Sequence, residues 1–321
     1  MKSISDLTLL FETELNKLKY SKSLPSLYTP IDYIMNLQGK RIRPSLMLMS
    51  FQLFNNDFKK VINPAIAIEL FHNFTLVHDD IMDNAPLRRG KETVQKKWNT
   101  NTAILSGDTM ALLSYQFISK VEKNIVNDVI STFTKAAVIV CEGQQLDLDF
   151  ETQIDVNISD YIKMIEYKTS VLLAASLKIG AIVGGGGLED QHNLYEFGKN
   201  IGIAFQLRDD LLDVFGEKSS FGKQVGGDIL SNKKTYLYLK ALEVANKDEK
   251  RKLESYYSSD IDNINKIKNV KDIFLDLAIP IYTNDLISKY HIKAIEHLDK
   301  VESLNKEPLL NLAEQLLDRN V

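Results

Sequence analysis

Cysteine is almost absent from this 321-residue chain: Cys141 stands alone, which excludes an intramolecular disulfide and suits a reducing compartment. Long apolar runs are missing too. No stretch approaches the ~20 residues of a membrane-spanning helix, and the longest candidate, 171–187, carries Lys178 and ends in four glycines. The N-terminus, MKSISDLTLLFETELNKLKY, places Asp6, Glu12 and Glu14 where an export signal needs an unbroken apolar core. A cytoplasmic protein without stable membrane insertion is expected. Nor is charge of one sign concentrated. Thirty-nine Lys and Arg stand against 43 Asp and Glu, net −4, with the bases spread along the chain. That leaves no basic stripe for nucleic acid. The one glycine cluster, 184–187, leads into LEDQ rather than into Lys and Ser/Thr, so it reads as a helix stop and not as a phosphate loop.

Alternating strand patterns with two-residue turns are also absent, and what remains is helical spacing nearly everywhere. Leu7, Leu10, Phe11, Leu15 and Leu18 recur at three- and four-residue steps. The segment NPAIAIELFHNFTLVHDDIMD opens with Asn63 as N-cap and Pro64 at the first helical position, and should run as one helix to about Asp83. Further helices are expected at 103–121, 127–149, 160–182 and 190–215, and the polar stretch 244–268 reads as a surface helix pair. The fold class is all-α, as a single domain over residues 1–321.

Within this apolar pattern one acidic spacing occurs twice. DDIMD at 79–83 returns as DDLLD at 209–213, each late in a long helix. Asp79 and Asp83, like Asp209 and Asp213, point from one helix face a turn apart, and like charges so placed destabilise a helix unless a cation lies between them. Oxygen-only ligands select a hard ion such as Mg2+, which takes one or two carboxylates and fills its shell with water and phosphate oxygens. Two such clusters would grip a diphosphate through several ions. Leu76, Val77, Ile81, Leu207, Leu211 and Leu212 surround them, and carboxylates among apolar residues are costly unless paired. Bases stand where an anion would want them: Lys40, Arg41 and Arg43 in GKRIRP, Arg88 and Arg89 in LRRG, then Lys168, Lys223 and Lys233. His72 precedes Asp79 by seven residues and so lies on nearly the same face.

Taken in order, GKRIRP, ELFHNFTLVHDDIMDNAPLRRG, LSGDTM, CEGQQLDLDFE, MIEYKTS, GIAFQLRDDLLDVFGE, FGKQVGGDI and KKT resemble the trans-isoprenyl diphosphate synthases, or polyprenyl synthetases, over nearly the whole chain. The resemblance implies the isoprenoid synthase fold, a helical bundle around a deep central cavity, usually as a homodimer. It implies Mg2+-dependent head-to-tail condensation of isopentenyl diphosphate with an allylic diphosphate. By the family's pattern Asp79, Asp80, Asp83, Asp209, Asp210 and Asp213 hold the metal and the allylic diphosphate. Arg88, Lys168, Lys223 and Lys233 grip that diphosphate, while Lys40, Arg43, His72 and Arg89 bind isopentenyl diphosphate. Thr169 and Gln206 stand beside the reacting carbons, and Arg319 is a weaker match for an isopentenyl contact. Ser231 and Asn232 depart from the family, which usually shows an acidic residue and a glycine there. In the family that the chain resembles, a bulky aromatic at the Phe74 position acts as a floor to the growing chain. With Thr75 small, Phe71 one turn deeper and DDIMD uninterrupted, geranylgeranyl diphosphate is the expected product. Farnesyl diphosphate is the alternative, ahead of a class I terpene cyclase or a non-catalytic synthase subunit.

Overall fold

The computed structural model describes residues 2–20, 24–216, 226–258, 263–303 and 305–317, and these are helical almost throughout. Helix α1 (Ile4–Leu15) starts at a capping box in which the Ser3 hydroxyl accepts from the Asp6 N–H and the Asp6 carboxylate accepts from the Ser3 N–H. It ends before Leu18. Helices α2 (Pro25–Met35) and α3 (Ile42–Gln52) follow. Helix α4 (Ile62–Met82) begins earlier than Asn63 and Pro64 suggest, because a 3-10 turn at Phe58–Lys60 runs into it with Val61 as N-cap. Pro64 then falls in the first turn, where a missing N–H costs nothing. Every residue from 64 to 71 is buried, so α4 is apolar all round there because it is enclosed all round.

A tight hairpin follows, against the sequence expectation. Strands β1 (Leu87–Arg88) and β2 (Lys91–Glu92) pair antiparallel, Leu87 with Glu92 and Arg88 with Lys91. The loop between them is Arg89–Gly90, with φ of +54° and +73°. Positive φ at both central residues is the turn whose twist suits a hairpin. Strands of two residues are too short to write an alternating pattern.

Beyond α5 (Val94–Lys97), α6 (Thr100–Ile118) is capped by the Asn99 side chain accepting from the Thr102 N–H at 2.8 Å. Helix α7 (Val126–Thr152) is next. The single helix expected over 160–182 is interrupted: α8 (Ile158–Ile165) and α9 (Val171–Gly184) are joined by a π-helical turn, Glu166–Ser170. The glycine cluster ends α9 as a helix stop, with Gly185 at φ +90° and the Gly186 N–H reaching back to the Ala181 carbonyl at 2.9 Å. The remaining elements are α10 (Leu188–Phe215), α11 (Gly227–Leu230), α12 (Tyr236–Val244), α13 (Lys247–Ser258), α14 (Asn263–Asp276), α15 (Ile279–Asp299) and α16 (Glu307–Leu317).

Contacts group the chain into two compact units. The first comprises Met1–Ala137, Leu172–Tyr195 and Lys300–Leu309; the second comprises Val138–Val171, Glu196–Asp299 and Leu310–Val321. In the first, α4 and α6 pack along each other, and Phe11, Met47, Ile68, Phe71 and Phe133 are buried. In the second, Ile203, Leu207 and Leu211 of α10 pack with Met164, Leu237, Phe274 and Ile287. Among the described residues one stretch, Ile158–Gly184, is long and apolar enough to cross a membrane, and 78% of that window is buried inside the folded chain.

Candidate active site

In the first unit the acidic motif occupies the C-terminal end of α4, with Asp83 as the C-cap. Helix carbonyls converge there, so carboxylates meet the negative end of the dipole as well as one another. That penalty falls unevenly. Asp80 is 1% exposed, Asp79 half-buried and Asp83 exposed. The hairpin brings a partner back: Arg88 donates from Nε to Asp80 Oδ1 at 3.0 Å and from Nη2 to the same oxygen at 2.5 Å, and Nη2 lies 3.4 Å from Asp79 Oδ2. Burial still holds the Asp80 carboxyl above the usual range, against the pull of Arg88. Burial lowers the Arg88 guanidinium, but its bond to Asp80 and the charges of Asp80, Asp79 and Asp83 more than reverse this. Asp80 Oδ2 is buried with no hydrogen-bond partner.

A second group of bases assembles beside α4. Arg43 Nη1 approaches His72 Nε2 at 3.2 Å, and since a guanidinium only donates, Nε2 is the acceptor. Burial lowers the His72 imidazole well below its ordinary pKa, and the charges of Arg43, Arg89, Arg88 and Arg41 add to this. The ring is therefore neutral, with its proton on Nδ1. Burial brings Arg43 down to about 10, with Glu69 opposing and Arg89 contributing. Lys40 is exposed. Arg41, read only as one more base, is instead buried at 5% exposure, with Nη1 2.6 Å from Glu69 Oε1. On α4, Phe71 packs edge-on against Phe133 and Phe74, each with ring centroids 5.4 Å apart. Phe74 also meets His78 at 4.8 Å, and the Thr75 hydroxyl turns to the His72 carbonyl.

In the second unit Lys168 and Thr169 lie in the π-helical turn, a feature that recurs at functional sites. Two glycines let neighbouring helices close on it. A Cβ on Gly143 of α7 would fall 2.3 Å from the Lys168 backbone nitrogen, and one on Gly202 of α10 would fall 2.8 Å from Ser170 Cα. Lys168 Nζ reaches Asp147 Oδ2 at 2.6 Å. Thr169 donates to Gln206 Oε1 at 3.2 Å, and Gln206 Nε2 donates to Asp210 Oδ1 at 3.0 Å. The Tyr161 hydroxyl donates to the other Asp210 oxygen. Asp210 is 4% exposed; burial first and the Asp228 charge second push its carboxyl up to about 8, against the bonds from Tyr161 and Gln206. Asp213 Oδ2 accepts from the Asp228 N–H at 3.0 Å. A cavity of about 350 Å³ collects Asp147, Lys168, Thr169, Gln206, Asp210 and Lys233 in its wall. Lys223 and Arg319 lie outside the described residues.

Among the described residues no three His, Cys, Asp or Glu side chains converge on one point. The donors nonetheless fit a hard ion that keeps waters and phosphate oxygens in its shell. They are all oxygens, they stand at helix ends that favour cations, and Asp80 has an unsatisfied buried oxygen.

The polyprenyl synthetase family model matches residues 24–274. The chain belongs to the polyprenyl synthetase family. It is 35% identical over 292 residues to a geranylgeranyl diphosphate synthase of Sulfolobus acidocaldarius, covering 90% of this chain and 88% of that one. It is 42% identical over 219 residues to the geranylgeranyl diphosphate synthase of Methanosarcina mazei, 68% of each. A crystal structure of a geranylgeranyl pyrophosphate synthase superposes with a TM-score of 0.95 at 42% identity, over 100% of both chains. The fold is thus the all-α isoprenoid synthase fold of this family.

Against the family's usual pattern, Asn232 replaces a glycine in a turn where φ is +55°. Asparagine tolerates that region better than other side chains, and its Oδ1 accepts from the buried Lys266 ammonium. The turn is kept, and Lys233 lines the cavity. Sequence reasoning missed Asp147, Tyr161, Asp228 and Glu69. Asp147 falls inside CEGQQLDLDFE and Asp228 inside VGGDI, so both had a motif to mark them. Glu69 opens ELFHNFTLVHDDIMDNAPLRRG and so was marked in the same way; Tyr161 had no motif.

Proposed function

We propose that this protein is a prenyltransferase that condenses isopentenyl diphosphate head-to-tail with allylic diphosphates, with geranylgeranyl diphosphate as main product. The observation that carries it is a pair of aspartate-rich helix ends, each with a base of its own, Arg88 on Asp79 and Asp80 and Lys168 lining a cavity with Asp210, together with a further basic pair, Arg43 and His72. Asp79, Asp80, Asp83, Asp209, Asp210 and Asp213 would hold Mg2+ together with the allylic diphosphate. Bound there, Mg2+ would supply Lewis-acid stabilisation of the leaving group.

The chain's own groups do the rest. Arg88, Lys168, Lys223 and Lys233 neutralise charge that grows on the departing diphosphate, a preorganised effect worth most in a dry site. Lys40, Arg43, His72 and Arg89 hold isopentenyl diphosphate so that its double bond attacks the allylic carbon, with Thr169 and Gln206 beside the reacting atoms. The last proton is assigned to the departing diphosphate. Phe74 stands as the floor and apolar residues of α4 keep water from the cation. Phe71, buried and packed against Phe133, acts as core and not as part of the floor, which favours the geranylgeranyl over the farnesyl product.

The two units act as one domain, since the family model draws on both. Two copies would associate as a homodimer; Leu105 and Leu112, a heptad apart on α6, are 58% and 69% exposed. The protein would work in the cytoplasm. A terpene cyclase would not need the second set of bases, and a non-catalytic subunit would not need both acidic motifs. Incubation with Mg2+, an allylic primer and labelled isopentenyl diphosphate tests the proposal. Label should enter an allylic chain, and diphosphate release without incorporation would point to the cyclase.

A further inference from the structure

The end of the loop between α2 and α3, together with the first turn of α3, is tied to α4 at two places a turn apart. Arg43 meets His72, and Arg41 meets Glu69. Arg41 takes φ +47°, a left-handed conformation uncommon for a residue other than glycine, and serves as N-cap of α3. From there its guanidinium turns inward. While Nη1 binds Glu69, Nη2 donates to the carbonyls of Met35 at 2.7 Å and Leu37 at 3.1 Å. The Leu37 carbonyl also lies 3.4 Å from Arg89 Nη1, and a Cβ on Gly39 would fall 2.8 Å from the same nitrogen. Glu69, 2% exposed, is fixed in turn by Asn73 Nδ2 at 3.1 Å. Its charge opposes the burial that lowers both Arg43 and Arg89.

A buried ion pair gives little net stability, because desolvation offsets its attraction, and an apolar pair of similar size often folds as well. Backbone strain at Arg41 adds a further cost. Geometry is what the pair supplies. We infer that Arg41 and Glu69 are positioning residues: their buried pair sets the backbone of residues 36–41 and thereby places Lys40, Arg43 and Arg89 to receive isopentenyl diphosphate. The inference rests on the reading above that those bases form that subsite.

The test compares Glu69→Leu, Arg41→Met and the double variant. Each single change strands a buried charge or its partners and should lower the melting temperature by roughly 10 °C. The double variant should regain most of that loss. Its KM for isopentenyl diphosphate should nonetheless stay raised about tenfold or more, since the loop is no longer held, while KM for the allylic primer stays near normal. Recovery of both stability and isopentenyl KM would mean the pair is structural only. An equal rise for both substrates would also overturn the inference. Should the double variant fail to fold, Arg41→Lys keeps a cation opposite Glu69 but cannot fork to both carbonyls. A normal isopentenyl KM in that variant overturns the inference equally. Metal-free calorimetry with isopentenyl diphosphate separates this failure from that of the functional reading. A wild-type protein that does not bind it defeats the reading, whereas a double variant that binds it as tightly as wild type defeats only the positioning role.

Discussion

Gly143→Ala should damage the enzyme although it adds only one methyl group, and on a different helix from either DDxxD motif. That methyl would stand 2.3 Å from the Lys168 nitrogen, 2.6 Å from the Tyr167 carbonyl carbon and 2.7 Å from Lys168 Cα. Ordinary contact needs about 3.4 Å or more, so α7 and the π-helical turn must part by roughly 1 Å. All the near atoms are backbone, so no side chain can swing aside. Overpacking of this kind costs about 1–3 kcal/mol. Alanine returns about 1 kcal/mol of helix propensity. The net loss, roughly 0–2 kcal/mol, leaves the protein folded. Activity should suffer more. Lys168 and Thr169 ride on the displaced turn, and their bonds to Asp147 and Gln206 are 2.6 and 3.2 Å, so a shift of that size breaks both. Misplacement by about 1 Å can lower turnover as much as 100-fold. The assay is kcat and KM with both substrates beside thermal melting, with Gly187→Ala as control, where the added carbon would meet only Asp190 Oδ2 at 3.7 Å. Full activity in Gly143→Ala with an unchanged or raised melting temperature would refute the argument. The turn would then not need the close approach.

Asp79→Ala or Asp209→Ala should leave a folded helical protein whose condensation rate falls by about 10³-fold or more, because a metal ligand is lost where electrostatics supplies most of the rate; near-normal turnover in either variant sinks the assignment. Phe74→Ala should lengthen the product and Thr75→Phe should shorten it, read by chromatography of the dephosphorylated alcohols; an unchanged length in Phe74→Ala places the floor elsewhere. Because burial and the surrounding arginines lower the folded pKa of His72 far below 6.5, the unfolded chain binds the proton first as pH falls. Stability should therefore drop below about pH 6.5, by up to about 1.4 kcal/mol per pH unit from this residue, and His72→Asn should remove that share. Urea unfolding curves that stay parallel for wild type and variant from about pH 7 to 5 contradict it.

The aspartate motifs, their bases and the all-α class were open to reading because each is local. A carboxylate pair one turn apart, a glycine stop, or a helix of uniform apolar character is written within a few consecutive residues, and so were Asp79, Asp209, Lys168 and Gly185. The β-hairpin escaped because two-residue strands leave no period; what made it was the pair of left-handed residues Arg89 and Gly90. The π-helical turn escaped because its extra residue is imposed from outside, by the backbones of α7 and α10 approaching at Gly143 and Gly202. Which aspartate of each motif is buried was likewise decided in three dimensions. Spacing singled out the outer pair, i and i+4, yet Asp80 and Asp210 are the ones enclosed, by Arg88 in one case and by Tyr161 and Gln206 in the other. Arg41 shows the limit most directly. In GKRIRP it is one of three bases, indistinguishable by type from Arg43. Only burial against Glu69, 28 residues away in the chain, turns it from a candidate ligand into a pin. Sequence fixes which charges exist, but desolvation and pairing decide what each one does, and those depend on neighbours that the chain's order does not name.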